Sequence, residues 1–140
     1  MEPICLHYDV DGTDFTLAGE NSSKVKKMLN KLGFDPEAVR KTAIAMYEGE
    51  INMVIHANGG SIDVEISPKK IVAVLKDTGP GIKDVEQAMR EGFSTASNQV
   101  RELGFGAGMG LPNMKKYSDD MKIDTKIGEG TTVTLTINVG

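Results

Sequence analysis

Glu48 and Asn52 stand four residues apart in "EGEINMVIHAN". On a helix that spacing brings two side chains to within about 40° of one another, so a carboxylate and a carboxamide share one face. The carboxylate can accept a proton, and the neutral amide oxygen of Asn52 suits a magnesium ion whose other ligands are phosphate oxygens and water. His56 continues the column, at the edge of an apolar stripe of Ile44, Ile51 and Ile55, and reads as a packed or capping residue. Farther along, "DTGPGI" puts Asp77 at the end of a β-type run, where its carboxylate is an acceptor suited to the amino group of adenine. Gly79 and Gly81 let the following turn lie against a flat base, and Pro80 and Ile82 offer apolar contact. In "GFGAGMGL", Gly104, Gly106, Gly108 and Gly110 recur every second residue, with Met109 among them, ahead of a helix beginning near Leu111. Bare N–H groups and the positive end of a helix dipole favour phosphate oxygens there.

Each fragment also has a plainer reading. Glu48 can be a solvated helix carboxylate, Asn52 an idle polar residue, and Asp77 with its glycines a strand-ending turn. Two general phosphate motifs fail outright. A P-loop needs Gly-Lys-Ser/Thr, which the chain lacks, and the alternate glycines put the third glycine of a dinucleotide fingerprint in the wrong place.

In this order and spacing, the E-x-x-x-N pair, "DTGPGI" and "GFGAGMGL" with "GEGTTV" behind it resemble the GHKL superfamily of ATP-binding domains from Asp35 to Thr136. Within it, "DTGPGIKDVEQAMREGFSTASN" and "GMGLPNMKK" resemble the small stand-alone serine kinases that act as anti-sigma factors or switch kinases. The resemblance implies a Bergerat-type α+β fold, ATP and Mg²⁺ as ligands, and adenine recognition by Asp77. It implies nucleotide contacts from Asn52, Gly79, Gly81, Ile82, Gly104, Gly106, Gly108, Met109, Gly110, Leu111 and Thr131. Thr131 and Thr132 match the closing strand motif near the adenine, and on their own are two good β-formers. Lys83 to Leu103 would form a lid, or simply a connector. The expected activity is phosphorylation of a serine or threonine on a small antagonist-type, STAS-like protein, with Glu48 as base and Arg90, Arg101 and Lys115 as candidate positive groups. A sigma factor and a second copy of the chain are further candidate partners. The competing classes are a non-catalytic ATP/ADP-binding regulatory module and an accessory subunit; only the kinase needs Glu48 as a base. The run after Asn52, "MVIHANGG", and the lid depart from the family pattern.

The elements that must position these residues follow from periodicity. "ICLHYDV" and "DFTLAGE" suggest a hairpin around Asp11-Gly12. A first helix runs behind the cap candidates Asn21, Ser22 and Ser23, with Val25, Met28, Leu29 and Leu32 inward, and Gly33 ends it. Asp35-Pro36 opens a longer helix that stops at Asn58-Gly59-Gly60. "SIDVEIS" and "KIVAVLKD" are strands, Lys83 to Arg90 a short helix, "GLPNMKKYSDD" a third helix, and "MKIDTKI" and "TTVTLTINV" a closing hairpin. Helices followed by adjacent strands imply one two-layer α/β sandwich over residues 1–140, with a mixed, mostly antiparallel sheet and helices on one face.

Composition agrees with one globular domain: 140 residues, 39% hydrophobic and 26% charged. The formal charge of −4 disfavours a nucleic-acid partner. One cysteine and two histidines supply neither an internal disulfide nor a usual structural zinc site. No run approaches the roughly 20 apolar residues that span a bilayer, and the N-terminus lacks a signal pattern, so the expected location is the cytoplasm.

Overall fold

Ile4, Leu6, Tyr8 and Val10 alternate with Cys5, His7 and Asp9, and this two-residue period makes β1 (Ile4–Asp11). The same alternation forms β2 (Gly59–Ile66), β3 (Lys70–Asp77), β4 (Asp120–Lys126) and β5 (Gly130–Asn138). A computed structural model describes residues 3–11, 19–57, 59–79, 81, 89 and 110–139. Among them the strands form one sheet in the order β1-β2-β3-β5-β4, and all four pairings are antiparallel.

Register puts the buried apolar residues of the strands on one face, while Val72 and Val74 of β3 fall on the other. Leu6 pairs with Val64, Val64 with Ala73, Ala73 with Leu135 and Leu135 with Met121, one row across the whole sheet. The next row is Tyr8, Ile62, Leu75, Val133 and Ile123. Helices α1 (Glu20–Lys31), α2 (Pro36–Ala57) and α3 (Gly110–Tyr117) cover this face, burying Val25, Leu29, Ala45, Met46, Met53 and Met114 in the same core as the strand residues. The opposite face carries the row His7, Asp63, Val74, Thr134 and Lys122. The α+β sandwich expected from the sequence is the observed architecture.

Some local expectations change, and others fall outside the described residues. The partner described for β1 is β2, while residues 12–18, most of the second strand expected in an opening hairpin, lie outside the described residues. Helix α1 begins at Glu20, one residue before the cap candidates, behind Gly19, and no local side chain caps it. The acceptor comes from another helix: the Glu50 carboxylate on α2 takes the N–H groups of Asn21 (3.2 Å) and Ser22 (3.0 Å). Leu32 follows the last turn of α1 and is 40% exposed. Helix α2 starts as its sequence predicts, with the Ala38 N–H donating to Asp35 Oδ2. Its inward face is wider than the isoleucine stripe, because Ala38, Thr42, Ala45, Met46, Glu50, Met53 and Val54 are buried along with Ile51. The helix expected over residues 83–90 lies outside the described residues except for Met89.

Candidate functional site

Helix α2 carries Glu48 and Asn52 one turn apart, and both are half-buried. Their surroundings are set by Gly49 between them. A Cβ on Gly49 would overlap Leu75 Cδ2 of β3 and stand 2.9 Å from Met114 Cε of α3. Glycine in a helix interior costs about 0.5–1 kcal/mol relative to alanine, and here it allows three elements to meet beneath the Glu48–Asn52 column.

Helix α3 meets that column through two consecutive residues. Asn113 Nδ2 donates to Glu48 Oε1 at 3.3 Å, and Asn52 Nδ2 donates to Met114 Sδ at 4.0 Å. With its amide N–H turned to sulfur, Asn52 keeps its oxygen, the atom a hard cation prefers, without a protein donor among the described residues. Burial pushes the Glu48 carboxyl above its ordinary value, and the Asn113 hydrogen bond acts in the opposite direction. The outcome is a carboxylate with raised proton affinity and one oxygen uncommitted among the described residues, as a proton acceptor requires.

Asp77 closes β3 opposite Thr131 of β5. Its Oδ1 accepts two backbone N–H groups, from Gly79 at 3.0 Å and Thr131 at 3.1 Å. One oxygen is thereby spent on holding the turn, and Oδ2 has no hydrogen-bond partner among the described residues. Gly130, beside Thr131, has φ 125, and a Cβ there would overlap the Asp77 carbonyl oxygen. Gly81, at φ 83, sits against the β4–β5 turn, where a Cβ would come 2.6 Å from the Lys126 carbonyl oxygen. The bare backbone of Gly81 is thus used by the protein itself, for packing one turn on another.

Thr131 is buried, and its Oγ1 lies 2.9 Å from Thr125 Oγ1 on β4. Thr132 falls on the opposite face by strand alternation, paired with Lys76 and Asp124. The two ends of the site adjoin: a Cβ on Gly60 would stand 2.7 Å from Met53 Cε, next to Asn52, and 3.0 Å from Asp77 Cα.

The structure therefore brings Glu48, Asn52, Asp77, Gly79 and Thr131 to one end of the sandwich, with Gly110 and Leu111 opening α3 beside them. Ile82, Gly104, Gly106, Gly108, Met109, Arg90 and Arg101 lie outside the described residues, as does the His56 side chain. Lys115 is exposed in the last turn of α3. Sequence reasoning missed Asn113, Met114 and Thr125. The signal for Asn113 was a carboxamide in the first turn of a short helix that directly follows the glycines.

Among the described residues no group of three or more His, Cys, Asp or Glu side chains is arranged to hold a metal ion. A single neutral amide oxygen fits a Mg²⁺ ion that arrives with its nucleotide, since that ion keeps water and phosphate ligands. Asp77 Oδ2, a carboxylate oxygen without a partner among the described residues, has the chemistry to accept from an adenine amino group.

The chain is similar to known proteins in sequence and in fold. Residues 16–137 match the histidine kinase-like ATPase domain family. The serine/threonine-protein kinase RsbT of Bacillus subtilis is 30% identical over 112 residues, spanning 77% of this chain and 78% of RsbT. An anti-sigma F factor of Thermoanaerobacter is 34% identical over 104 residues, spanning 74% of this chain and 65% of that protein. In fold, the chain is similar to a crystal structure of RsbU and RsbW domains from Mycobacterium tuberculosis, with a TM-score of 0.63 and 20% identity over 97% of this chain and 32% of that one. A mycobacterial sensor histidine kinase, MprB, shares the fold with a TM-score of 0.54 and 16% identity, over 97% of this chain and 98% of that one. The chain belongs to the histidine kinase-like ATPase family, in the branch that holds RsbT-type serine/threonine kinases and anti-sigma F factors.

Proposed function

We infer that this protein is an ATP-dependent serine/threonine protein kinase of the anti-sigma factor and switch-kinase type, acting as one domain in the cytoplasm on a small antagonist-type, STAS-like protein. The observation that carries the reading is the half-buried Glu48, with its raised proton affinity, one turn from Asn52. A protein that only senses nucleotide needs Asn52, Asp77 and the glycines, but has no use for a base.

Asp77 Oδ2 accepts from the adenine amino group while Oδ1 keeps the turn closed. The glycines from Gly104 to Gly110 and the first N–H groups of α3 receive phosphate oxygens. Asn52 would hold Mg²⁺ through its amide oxygen, and the ion would supply charge neutralisation at the phosphates. Glu48 takes the proton of the incoming serine or threonine hydroxyl as that oxygen bonds to the terminal phosphorus. The bond from that phosphorus to the bridging oxygen breaks, and ADP leaves with the electron pair. A sigma factor or a second copy of the chain would share the exposed surface around the site.

Titration calorimetry with Mg²⁺ and ATP, followed by phosphate incorporation into a candidate antagonist-domain protein, tests the reading. Glu48→Gln keeps shape and helix propensity and is expected to bind nucleotide like the parent while losing on the order of 10² to 10⁴ in transfer rate, the usual contribution of a positioned base. No heat with millimolar nucleotide in a folded sample would end the nucleotide assignment. Undiminished transfer by Glu48→Gln would end the base assignment.

A further inference from the structure

We propose that Asn113 is a positioning residue for the transfer reaction: from the first half of α3 its amide sets the direction in which Glu48 presents its free carboxylate oxygen. The proposal rests on the kinase reading of the site and adds to it a residue of the "GMGLPNMKK" fragment to which the sequence reading gave no role.

Three observations carry it. Asn113 is the sole side-chain hydrogen-bond partner of Glu48 among the described residues, donating Nδ2 to Oε1 at 3.3 Å. The bond is long, as catalytic hydrogen bonds often are before ligand binds. The approach of the two helices that makes it reachable is permitted by Gly49, next to Glu48, where an added Cβ would stand 2.9 Å from Met114 Cε. The following residue, Met114, takes the amide of Asn52, so neighbouring residues of α3 orient both members of the E-x-x-x-N pair. A carboxylate held by one oxygen keeps a defined rotamer and a defined free lone pair, which is what proton transfer to a positioned base needs.

The chemistry of the bond is directional. An amide N–H stabilises the ionised carboxylate more than the protonated acid, so Asn113 keeps Glu48 ready to accept a proton against the effect of burial. No other group competes among the described residues. Glu50 on α2 is turned to α1, Asp77 on β3 is engaged with its own turn and β5, and Lys115 and Lys116 on α3 are exposed. Glu48 takes part in no ion pair among the described residues.

The test has a readout that does not depend on catalysis. The Glu48 carboxyl is titrated by carbon NMR in the nucleotide-free protein, in the parent, Asn113→Ala and Asn113→Asp, with Asn113→Gln as the variant that keeps a donor. The expected order of rising Glu48 pKa is parent, then alanine, then aspartate, whose own charge opposes ionisation, with glutamine close to the parent. In transfer assays Asn113→Ala is expected to lose on the order of tenfold in kcat at neutral pH, with KM for ATP changed by less than about twofold and the pH–rate profile displaced to higher pH. Glutamine is expected to recover most of that loss. An unchanged Glu48 titration in folded Asn113→Ala and Asn113→Asp overturns the proposal. A parent that never transfers phosphate overturns the kinase reading and the catalytic half of the proposal, and the NMR order then reports the hydrogen bond alone.

Discussion

In the proposed site, Asp77 divides its work between fold and ligand. Oδ1 closes the turn by accepting from Gly79 and Thr131, and Oδ2 remains for recognition. Asparagine at this position must turn its single oxygen to those two donors and thereby present its NH₂ to the adenine amino group, donor against donor. Asp77→Asn is expected to weaken ADP binding by about 1–3 kcal/mol, read by calorimetry, with little change in melting temperature. Glu48 makes a prediction with a definite sign in pH. Its folded-state pKa lies above the ordinary 4.5, so the native state binds that proton more tightly than the unfolded chain does, and the stability associated with it falls as pH rises from about 4.5 through the folded value. Glu48→Gln removes this dependence while keeping an acceptor for Asn113. The melting temperature of the variant minus that of the parent is therefore expected to grow across that window and level off above it. A difference that stays flat from pH 4 to 8 would mean that Glu48 is not desolvated in the native state.

At the scale of elements, what was legible in the sequence was what depends on local pattern. The alternation of β1 to β5, the Asp35-Pro36 start of α2 and the Asp77 turn are all written in adjacent residues and formed close to where expected, whereas most of the strand expected over residues 14–20 lies outside the described residues and Glu20 opens α1. What was not legible depends on partners distant in sequence. The cap of α1 is the clearest case, because Asn21 and Ser22 have the right chemistry for a local cap and yet receive an acceptor from Glu50, 29 and 28 residues away. The available clue was a carboxylate between Met46 and Val54 on a buried helical line, a polar residue where a core residue belongs. The Glu48–Asn113 bond, across 65 residues, escaped for the same reason. Glu50 is 1% exposed, so Glu50→Ala leaves two N–H groups without an acceptor and opens a void. We expect a loss of about 2–4 kcal/mol by chemical denaturation. Hydrogen exchange should show the amides of α1 losing more protection than those of β3 and β5; equal losses in both would assign Glu50 to the general core and not to the α1 start.

The whole molecule separates these two kinds of construction in space. The candidate site draws on α2, α3, β3 and β5 at one end of the sandwich, whereas Glu50 faces away from Glu48 on α2 and serves the junction with α1. A ligand that binds only the native state stabilises it by mass action, about 2.7 kcal/mol at a free concentration one hundred times Kd. If the junction and the site are independent, Glu50→Ala lowers the starting stability and leaves that increment intact, so the two effects add to within about 0.5 kcal/mol. Gly49→Ala behaves differently, because the new methyl group presses on Leu75 and Met114 directly beneath Glu48 and Asn52. Overpacking of this kind costs about 1–3 kcal/mol, and the displaced α3 should also reduce the nucleotide increment. Unfolding curves of parent, Glu50→Ala and Gly49→Ala, each with and without Mg²⁺ and ATP at fixed multiples of the parent Kd, decide the matter. Additivity for Glu50→Ala together with a shrunken increment for Gly49→Ala fits a binding end built on the contact between α2 and α3. The reverse pattern would move the nucleotide-responsive part of the molecule to the α1 junction.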